Sequence, residues 1–518
     1  MKIFRLFFAL LIAGYLILPD SYAQISAGDT MSFWSVTYID WPPLAGTPQR
    51  RIHATCEKVG EHCYIFREDT LAPFPQNQID TLVHRFDKHF VPELTSVYGP
   101  MPDALDGDSH VFILIFYEED WCGYWDPAQQ MTDSMVFATW GSHSNENEII
   151  YIASDCFNSA PGITAHEFGH MLHWGRDHSP EPVTNPVQYW EDAWIDEGFS
   201  TFAAIYLTEN IFVPDVMDYQ AFFEDEPDIP LIYFSNYNQV KLWTLFMFEH
   251  YGGWNYISAL INNQLNGIAG MDSALRQINA PVTFDEAFQH WAITNYLDDD
   301  NFEGGKYGYT HYNFNACYAA ANHFTYPTGF CVQTINPYGT DYINFSTTVA
   351  NPMTITFSGD SNSKFMLAMI KMNMPANSVA GIDYITPDEN NNAVYHADSF
   401  GIAYNKLVFV VCNVDSAIHE GATAAYSYFT NSTAGMEDHT STPEISIWPN
   451  PADSQITVHS DAKLSGSDYT ICNQAGKVVT TGKLTDEKTI IEIKDFSDGI
   501  YLFRIGNSIK HTFKVIKN

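Results

Sequence analysis

The sequence predicts a multidomain chain: an α+β body, a β-sandwich behind it and a small all-β domain at the C-terminus. Three observations predict it. The length, 518 residues, exceeds one ordinary domain of about 100–150 residues. The spacing of apolar residues changes twice, from mixed to helical after Pro161 and to short alternating runs after His311. The charge also breaks. Glu444–Asn518 holds nine acidic and nine basic residues, so the formal net charge of −38 is carried entirely by the residues before it.

With 46% apolar and 15% aromatic residues, the chain has the material for packed cores and lacks the signature of disorder. A charge of −38 repels phosphate backbones and anionic lipid heads, which sets aside general nucleic-acid and polybasic membrane binding.

Residues 1–23 read as an export signal. Lys2 and Arg5 precede the apolar run Leu6–Leu18, and Ser21-Tyr22-Ala23 is a small-x-small cleavage site. That run is shorter than the ~20 residues of a membrane span, and no later stretch reaches spanning length. In an oxidising compartment eight cysteines suggest disulfides. Local spacing pairs Cys56–Cys63, Cys122–Cys156 and Cys317–Cys331, and leaves Cys412 and Cys472 in different modules.

The α+β body is expected over 24–310. A strand is expected near Cys63–Arg67 and a helix around Gln78–His89. The turn Asp106-Gly107-Asp108 then feeds the apolar strand Val111–Tyr117, and Ile149–Ala153 is a further strand. The Asp-Gly-Asp lacks the spaced oxygen ligands of a calcium loop, so nothing supports a Ca2+ site there. Helices follow at Gly162–Trp174, Tyr189–Leu207, Val240–Tyr251, Trp254–Leu265 and Phe284–Tyr296. A β-sandwich is expected over 311–430, with strands such as Asp341–Phe345, Met353–Phe357, Phe365–Met372 and Leu407–Val411. A linker over 431–443 precedes the C-terminal β-sandwich domain of 444–518.

The chemistry lies in Thr164-Ala165-His166-Glu167-Phe168-Gly169-His170. Four residues apart on a helix, His166 and His170 project from one face and can reach one ion at about 2.0–2.1 Å. Glu167 can reach a water on the open side of that ion. A random chain of this composition would hold about 0.04 such motifs. His173, three residues beyond His170, reads as an ordinary helix residue. A catalytic zinc needs a third protein ligand. His178 is the only nearby imidazole, in no recognisable pattern. Glu197, on an apolar and therefore buried helix, is the better candidate, because a buried carboxylate needs a cation beside it.

His166–His170 followed by Trp194-x-Asp196-Glu197-Gly198 resembles the gluzincin branch of zinc metallopeptidases. The wider stretch from Cys56 to Tyr251 is similar to the hyicolysin-like extracellular peptidases, through Phe86-Asp87, Asp106-Gly107-Asp108, Ser144-Asn145 and Glu148-Ile149-Ile150-Tyr151. The resemblance implies a zincin-like metallopeptidase fold. It also implies one catalytic Zn2+ on His166, His170 and Glu197, with Glu167 as general base toward a zinc-activated water in the hydrolysis of peptide bonds of extracellular proteins. Two positions depart from the pattern: Asp196 stands where asparagine is usual, and Thr201 where relatives carry an aspartate supporting the first histidine. The Gly-x-Met-Glu-Asn exopeptidase signature is absent, which favours endopeptidase action. An oxyanion donor is expected among Tyr233, Tyr237, His250 and His290, while Tyr206 falls on the helix face opposite Glu197.

The tail has its own resemblance. Trp448-Pro449-Asn450-Pro451, Gln474-Ala475-Gly476-Lys477, Asp498-Gly499-Ile500-Tyr501 and Lys514-Val515-Ile516-Lys517 are similar to the type A sorting domain of the type IX secretion system. The expected partners are that machinery and a protein or peptide substrate, and the expected location is secreted or cell-surface. The alternative is an inactive or narrow-specificity surface binding protein on the same fold.

Overall fold

The computed structural model describes residues 25–36, 48–102, 105–177, 191–207, 223–234, 236–310, 317–432, 445–459, 464–473, 477–485, 488–505 and 511–517. The expected export signal, His178 and nearly all of the expected linker lie outside them. Two compact units divide the chain between Thr433 and Ala434.

The first unit begins with a six-stranded sheet in the order β1-β2-β3-β4-β6-β5. Its strands are β1 (Thr30–Val36), β2 (Gln49–Val59), β3 (Cys63–Glu68), β4 (Val111–Phe116), β5 (Gly123–Trp125) and β6 (Ile149–Ala153). β3, β4 and β6 run parallel; β5 closes one edge antiparallel to β6. β4 (VFILIF) and β6 (IIYIA) are buried at every residue, as strands covered on both faces must be. Ile113, Ile115, Ile150 and Ile152 face the helical core. Phe112, Leu114, Phe116 and Tyr151 face a second, smaller core.

The β3–β4 crossover runs through α1 (Gln76–Arg85), a π turn at Phe86–Phe90 and α2 (Val91–Tyr98). The helical stretch therefore continues past the expected end at His89. Pro92 lies in the first turn of α2, inside this continuous helical stretch; it cannot donate to a preceding carbonyl, and the π turn stands immediately before it. After α3 (Asp133–Trp140) come α4 (Ala160–Asp177), α5 (Ala193–Leu207), α6 (Tyr237–His250), α7 (Trp254–Ile261), α8 (Gly267–Gln277) and α9 (Phe284–Leu297). α4 lies on the sheet by Ala165, Phe168, Met171 and Leu172, all fully buried.

The same unit continues into two further sheets, β13-β10-β15-β8 and β12-β11-β14-β9-β7. Their strands are β7 (Ala321–His323), β8 (Cys331–Ile335), β9 (Thr340–Ser346), β10 (Met353–Gly359), β11 (Phe365–Asn373), β12 (Ser378–Ile385), β13 (Asn392–Ala397), β14 (Lys406–Asn413) and β15 (Ala424–Ser432). Phe357, Leu367, Phe409 and Tyr426 fill the space between the sheets. The second sheet is buried on its other face too: Ala368, Ile370, Val408, Val410 and Cys412 belong to the helical core. Tyr342 donates to the Ala292 carbonyl at 2.6 Å and Tyr296 to Asn344 Oδ1 at 2.9 Å, joining β9 to α9.

Of the three expected disulfides, only Cys122–Cys156 forms; the other cysteines are free. Cys56 and Cys63 sit on paired strands, but a bulge between Cys56 and Lys58 turns Cys56 into one core and Cys63 into the other. Cys317 is buried in the helical core, whereas Cys331 on β8 packs against the sandwich core. Sulfurs on opposite sides of a sheet cannot meet.

The second unit is a small all-β domain. Its strands are β16 (Ser446–Trp448), β17 (Gln455–His459), β18 (Asp468–Asn473), β19 (Val478–Lys483), β20 (Lys488–Glu492), β21 (Gly499–Ile505) and β22 (His511–Lys517). One sheet is β16-β17-β20 and the other β19-β18-β21-β22, and Ile456, Val458, Ile471, Phe503 and Val515 belong to its core.

Candidate metal centre

α4 and α5 meet through small residues. A Cβ on Gly169 would lie 3.2 Å from Ser200 Cα, tight enough to push α5 outward by a few tenths of an ångström, so glycine keeps the two backbones close. On the next contact, a Cβ on Gly198 would meet Thr244 Oγ1 at 2.6 Å and the Val240 carbonyl at 3.1 Å, which seats α5 against α6. Glu197 is thereby carried over the His166–His170 face of α4.

His166 Nε2 and His170 Nε2 are 3.1 Å apart. Glu197 Oε2 lies 3.2 Å from the first and 3.6 Å from the second. Tetrahedral ligands about 2.0–2.1 Å from one ion stand roughly 3.3 Å from one another, so these three atoms already have the spacing of a shared cation. Glu197 Oε2 is fully buried without an aligned hydrogen bond, the state expected of an oxygen whose partner is an ion. Among the described residues, no other group of three or more His, Cys, Asp or Glu side chains has metal-binding spacing.

Asp196 is the support that sequence reasoning undervalued. Its Oδ2 accepts from His170 Nδ1 and its Oδ1 from His173 Nδ1, both at 2.7 Å. His173 is therefore more than a helix residue: one carboxylate on α5 grips two imidazoles one turn apart on α4. Proton assignment follows from chemistry, since a carboxylate accepts at His170 Nδ1 and leaves Nε2 its lone pair toward the cluster. The signal was present in the aspartate itself, which has two acceptor oxygens where asparagine has one. Thr201 Oγ1 stands 3.5 Å from His166 Nδ1, at the place where the resemblance puts an aspartate.

Charge follows this geometry. Burial alone would lower the pKa of His170, but Asp196 and Glu197 overcome it and hold the imidazole well above its usual value. Burial alone would raise Asp196 and Glu197; the imidazoles reverse this and hold both carboxyls below the usual range. Glu167 is buried and its carboxyl is raised, chiefly by desolvation, with His166 and His170 opposing. It lies beside the edge strand: a Cβ on Gly123 would be 2.3 Å from Ile163 Cγ2 and 3.7 Å from Glu167 Oε1. The Cys122–Cys156 bond joins the start of that strand to the turn entering α4.

Of the expected oxyanion donors, three lie elsewhere. Tyr233 donates to the Ile418 carbonyl, while His250 and His290 line a separate cavity. The Tyr237 ring is 6.2 Å from that of His166. Tyr206 packs on Phe248 and Trp254. Asp106 and Asp108 serve the turn: Asp106 Oδ1 accepts from Asp108 N, and Asp108 accepts from Tyr64 and His110.

Comparison with known proteins finds one family. Residues 446–518 match the secretion system C-terminal sorting domain. No curated protein matches the chain. Three solved structures resemble parts of it at low similarity. The pre-peptidase C-terminal domain of a collagenase from Bacillus anthracis is 13% identical, with a TM-score of 0.17 over 23% of this chain and 100% of that one. A biofilm-associated protein BSP domain is 12% identical, with a TM-score of 0.14 over 37% of this chain and 52% of that one. The adhesin domain of Epf from Streptococcus pyogenes is 9% identical, with a TM-score of 0.13 over 36% and 77%. Scores this low carry no argument about the body of the chain. No helix among the described residues is long and apolar enough to cross a membrane. The protein thus ends in a type IX secretion sorting domain, and it is exported through the outer membrane to be secreted or held at the cell surface.

Proposed function

We propose that the protein is a secreted zinc-dependent metalloendopeptidase. The observation that carries this reading is the convergence of His166, His170 and Glu197, with one Glu197 oxygen buried and without an aligned hydrogen bond, beside a buried Glu167. A purely structural site has no use for that second glutamate.

In this reading His166, His170 and Glu197 hold the ion. Bound zinc supplies Lewis acidity toward the scissile carbonyl and lowers the pKa of the attacking water. Glu167 takes the water's proton and passes it to the leaving amine, so that the peptide bond resolves into a carboxylate and an amine. Desolvation raises the Glu167 carboxyl, moving it toward the range in which a group can both accept and return a proton near neutrality. Tyr237, whose ring lies 6.2 Å from that of His166, is in this reading the candidate for the oxyanion. β5 is an edge strand next to Glu167, and an extended substrate can add to its free side.

The test is digestion of denatured casein by the mature protein with zinc, beside Glu167→Ala. Cleavage by the wild type alone, abolished by a chelator, supports the assignment. If both proteins bind one zinc and neither cuts, the broad endopeptidase reading fails.

A further inference from the structure

A second concave site lies away from the metal centre, where the helices meet the sandwich. It is a cleft of about 930 Å³ between the ends of α6 and α8, one face of α9 and the β11–β12 edge of the second sandwich sheet. That volume is in the range of sites that enclose a ligand of several hundred daltons.

Its walls are aliphatic, with Ile278, Val282, Leu367 and Ile385 among them. Its floor is polar and uncharged. His290 donates from Nε2 to the Lys306 carbonyl, so its Nδ1 accepts from Tyr251 at 2.9 Å, and the Tyr251 oxygen keeps acceptor capacity toward the cleft. Burial pushes the His290 imidazole down to about 4, which keeps it neutral at physiological pH. The two charged side chains at the rim are already engaged: Glu286 closes the capping box of α9 with Thr283, and Lys306 lies over the Tyr307 ring at 4.8 Å.

One polar group of the cleft faces it unpaired among the described residues. Gln289 is 5% exposed and lines the cleft, and its amide makes no hydrogen bond among the described residues. Water in the cleft can satisfy this amide, and a ligand that displaces that water has to both donate and accept in its place. A primary amide is complementary to a backbone amide group, giving N–H to its carbonyl and taking N–H in return. Beside it, β12 pairs with β11 alone among the described strands, so one side of its backbone is open to an added strand.

We infer that this cleft binds an extended, uncharged peptide segment, which seats an aliphatic side chain between Val282 and Leu367 and pairs its backbone amide with Gln289. Binding there does not depend on the metal centre, and it is assayed without catalysis.

The experiment uses the mature chain as Glu167→Gln, so that no probe is cleaved. The probe is the blocked heptapeptide acetyl-Ser-Gly-Thr-Leu-Thr-Gly-Ser-amide, followed by saturation-transfer NMR. The expected result is saturation of the leucine methyls, reduced at least fivefold in Val282→Trp, which puts an indole where the leucine is to sit. In Gln289→Leu, which keeps the apolar volume and removes the amide, a reduction of the same order is expected. Unchanged melting temperatures establish that both variants are folded. Transfer that persists in both folded variants places the peptide elsewhere and overturns the inference. So does the absence of transfer to the peptide, or transfer confined to a parallel sample of cellohexaose, which would make the cleft a glycan site.

Discussion

The strongest test of the metal centre is Asp196, because it touches no substrate and its two oxygens have separable jobs. Each accepts one imidazole N–H at 2.7 Å. Bonds to an ionised group contribute about 1.5–3 kcal/mol each. Asp196→Ala removes both and leaves two donors unpaired, on His170 and on the buried His173. The metal-free protein should lose about 3 kcal/mol or more, a melting shift of several degrees. Zinc affinity should fall ~10–100-fold, as it does when outer support of a ligating imidazole is removed, which corresponds to about 1.4–2.7 kcal/mol. Asp196→Asn keeps one acceptor oxygen, enough to hold His170 in its ligating tautomer, so its zinc affinity should stay closer to the wild type. The assay is zinc titration against a chromophoric chelator, with circular dichroism to establish equal helix content. A zinc Kd for Asp196→Ala within twofold of the wild type would refute the orienting role, as would Asn proving as damaging as Ala.

Three further outcomes are expected. The Cys122–Cys156 bond spans 34 residues, so the loop-entropy rule gives about 3–4 kcal/mol; the double alanine variant should melt several degrees lower, and an unchanged melt would show that the bond constrains nothing. Gly198→Ala forces a methyl to within 2.6 Å of Thr244 Oγ1, so it should cost about 1–3 kcal/mol and weaken zinc binding by moving Glu197, both read in the chelator and melting assays. Burial first, and Asp341 second, push the Asp228 carboxyl up to about 8, and burial raises Asp341 to about 6, against about 3.9 in an unfolded chain. Because the folded values are raised, this stabilisation is whole below about pH 4 and is lost as pH rises through 6 to 8. Melting temperature should therefore fall between pH 5 and 8.5, and by less in Asp228→Asn; parallel curves would remove the pair from the account.

The long apolar segments were legible. The helix expected at Phe284–Tyr296 is α9, Phe284–Leu297, and the strand expected at Phe365–Met372 is β11, Phe365–Asn373. Their apolar spacing is sustained and their ends carry caps or turns. The facing of His166 and His170 was legible for a related reason: a spacing of four on a helix fixes a geometry without help from the fold. β5 was not legible, since three residues cannot establish a period. α8 was missed as well; Gly-Ile-Ala-Gly-Met has weak helical preference, and packing holds it in place. The grip of Asp196 on His173 needed the register between two helices, which spacing along the chain does not encode. The same holds for the cysteines, where one bulge decided which face of the sheet each sulfur joined.

β14 is buried at seven of its eight residues, with alternate side chains committed to different cores. That arrangement constrains the order of assembly. Leu407, Phe409 and Val411 can be covered by strands close in sequence, but Val408, Val410 and Cys412 wait for helices made more than a hundred residues earlier. Until those helices dock, a newly exported chain presents an uncovered aliphatic sheet to its neighbours, the kind of surface on which unfinished proteins stick to one another. Collapse of the sandwich ahead of the helical body would trap such a chain, so the late-arriving C-terminal half needs the early half already in place to receive it.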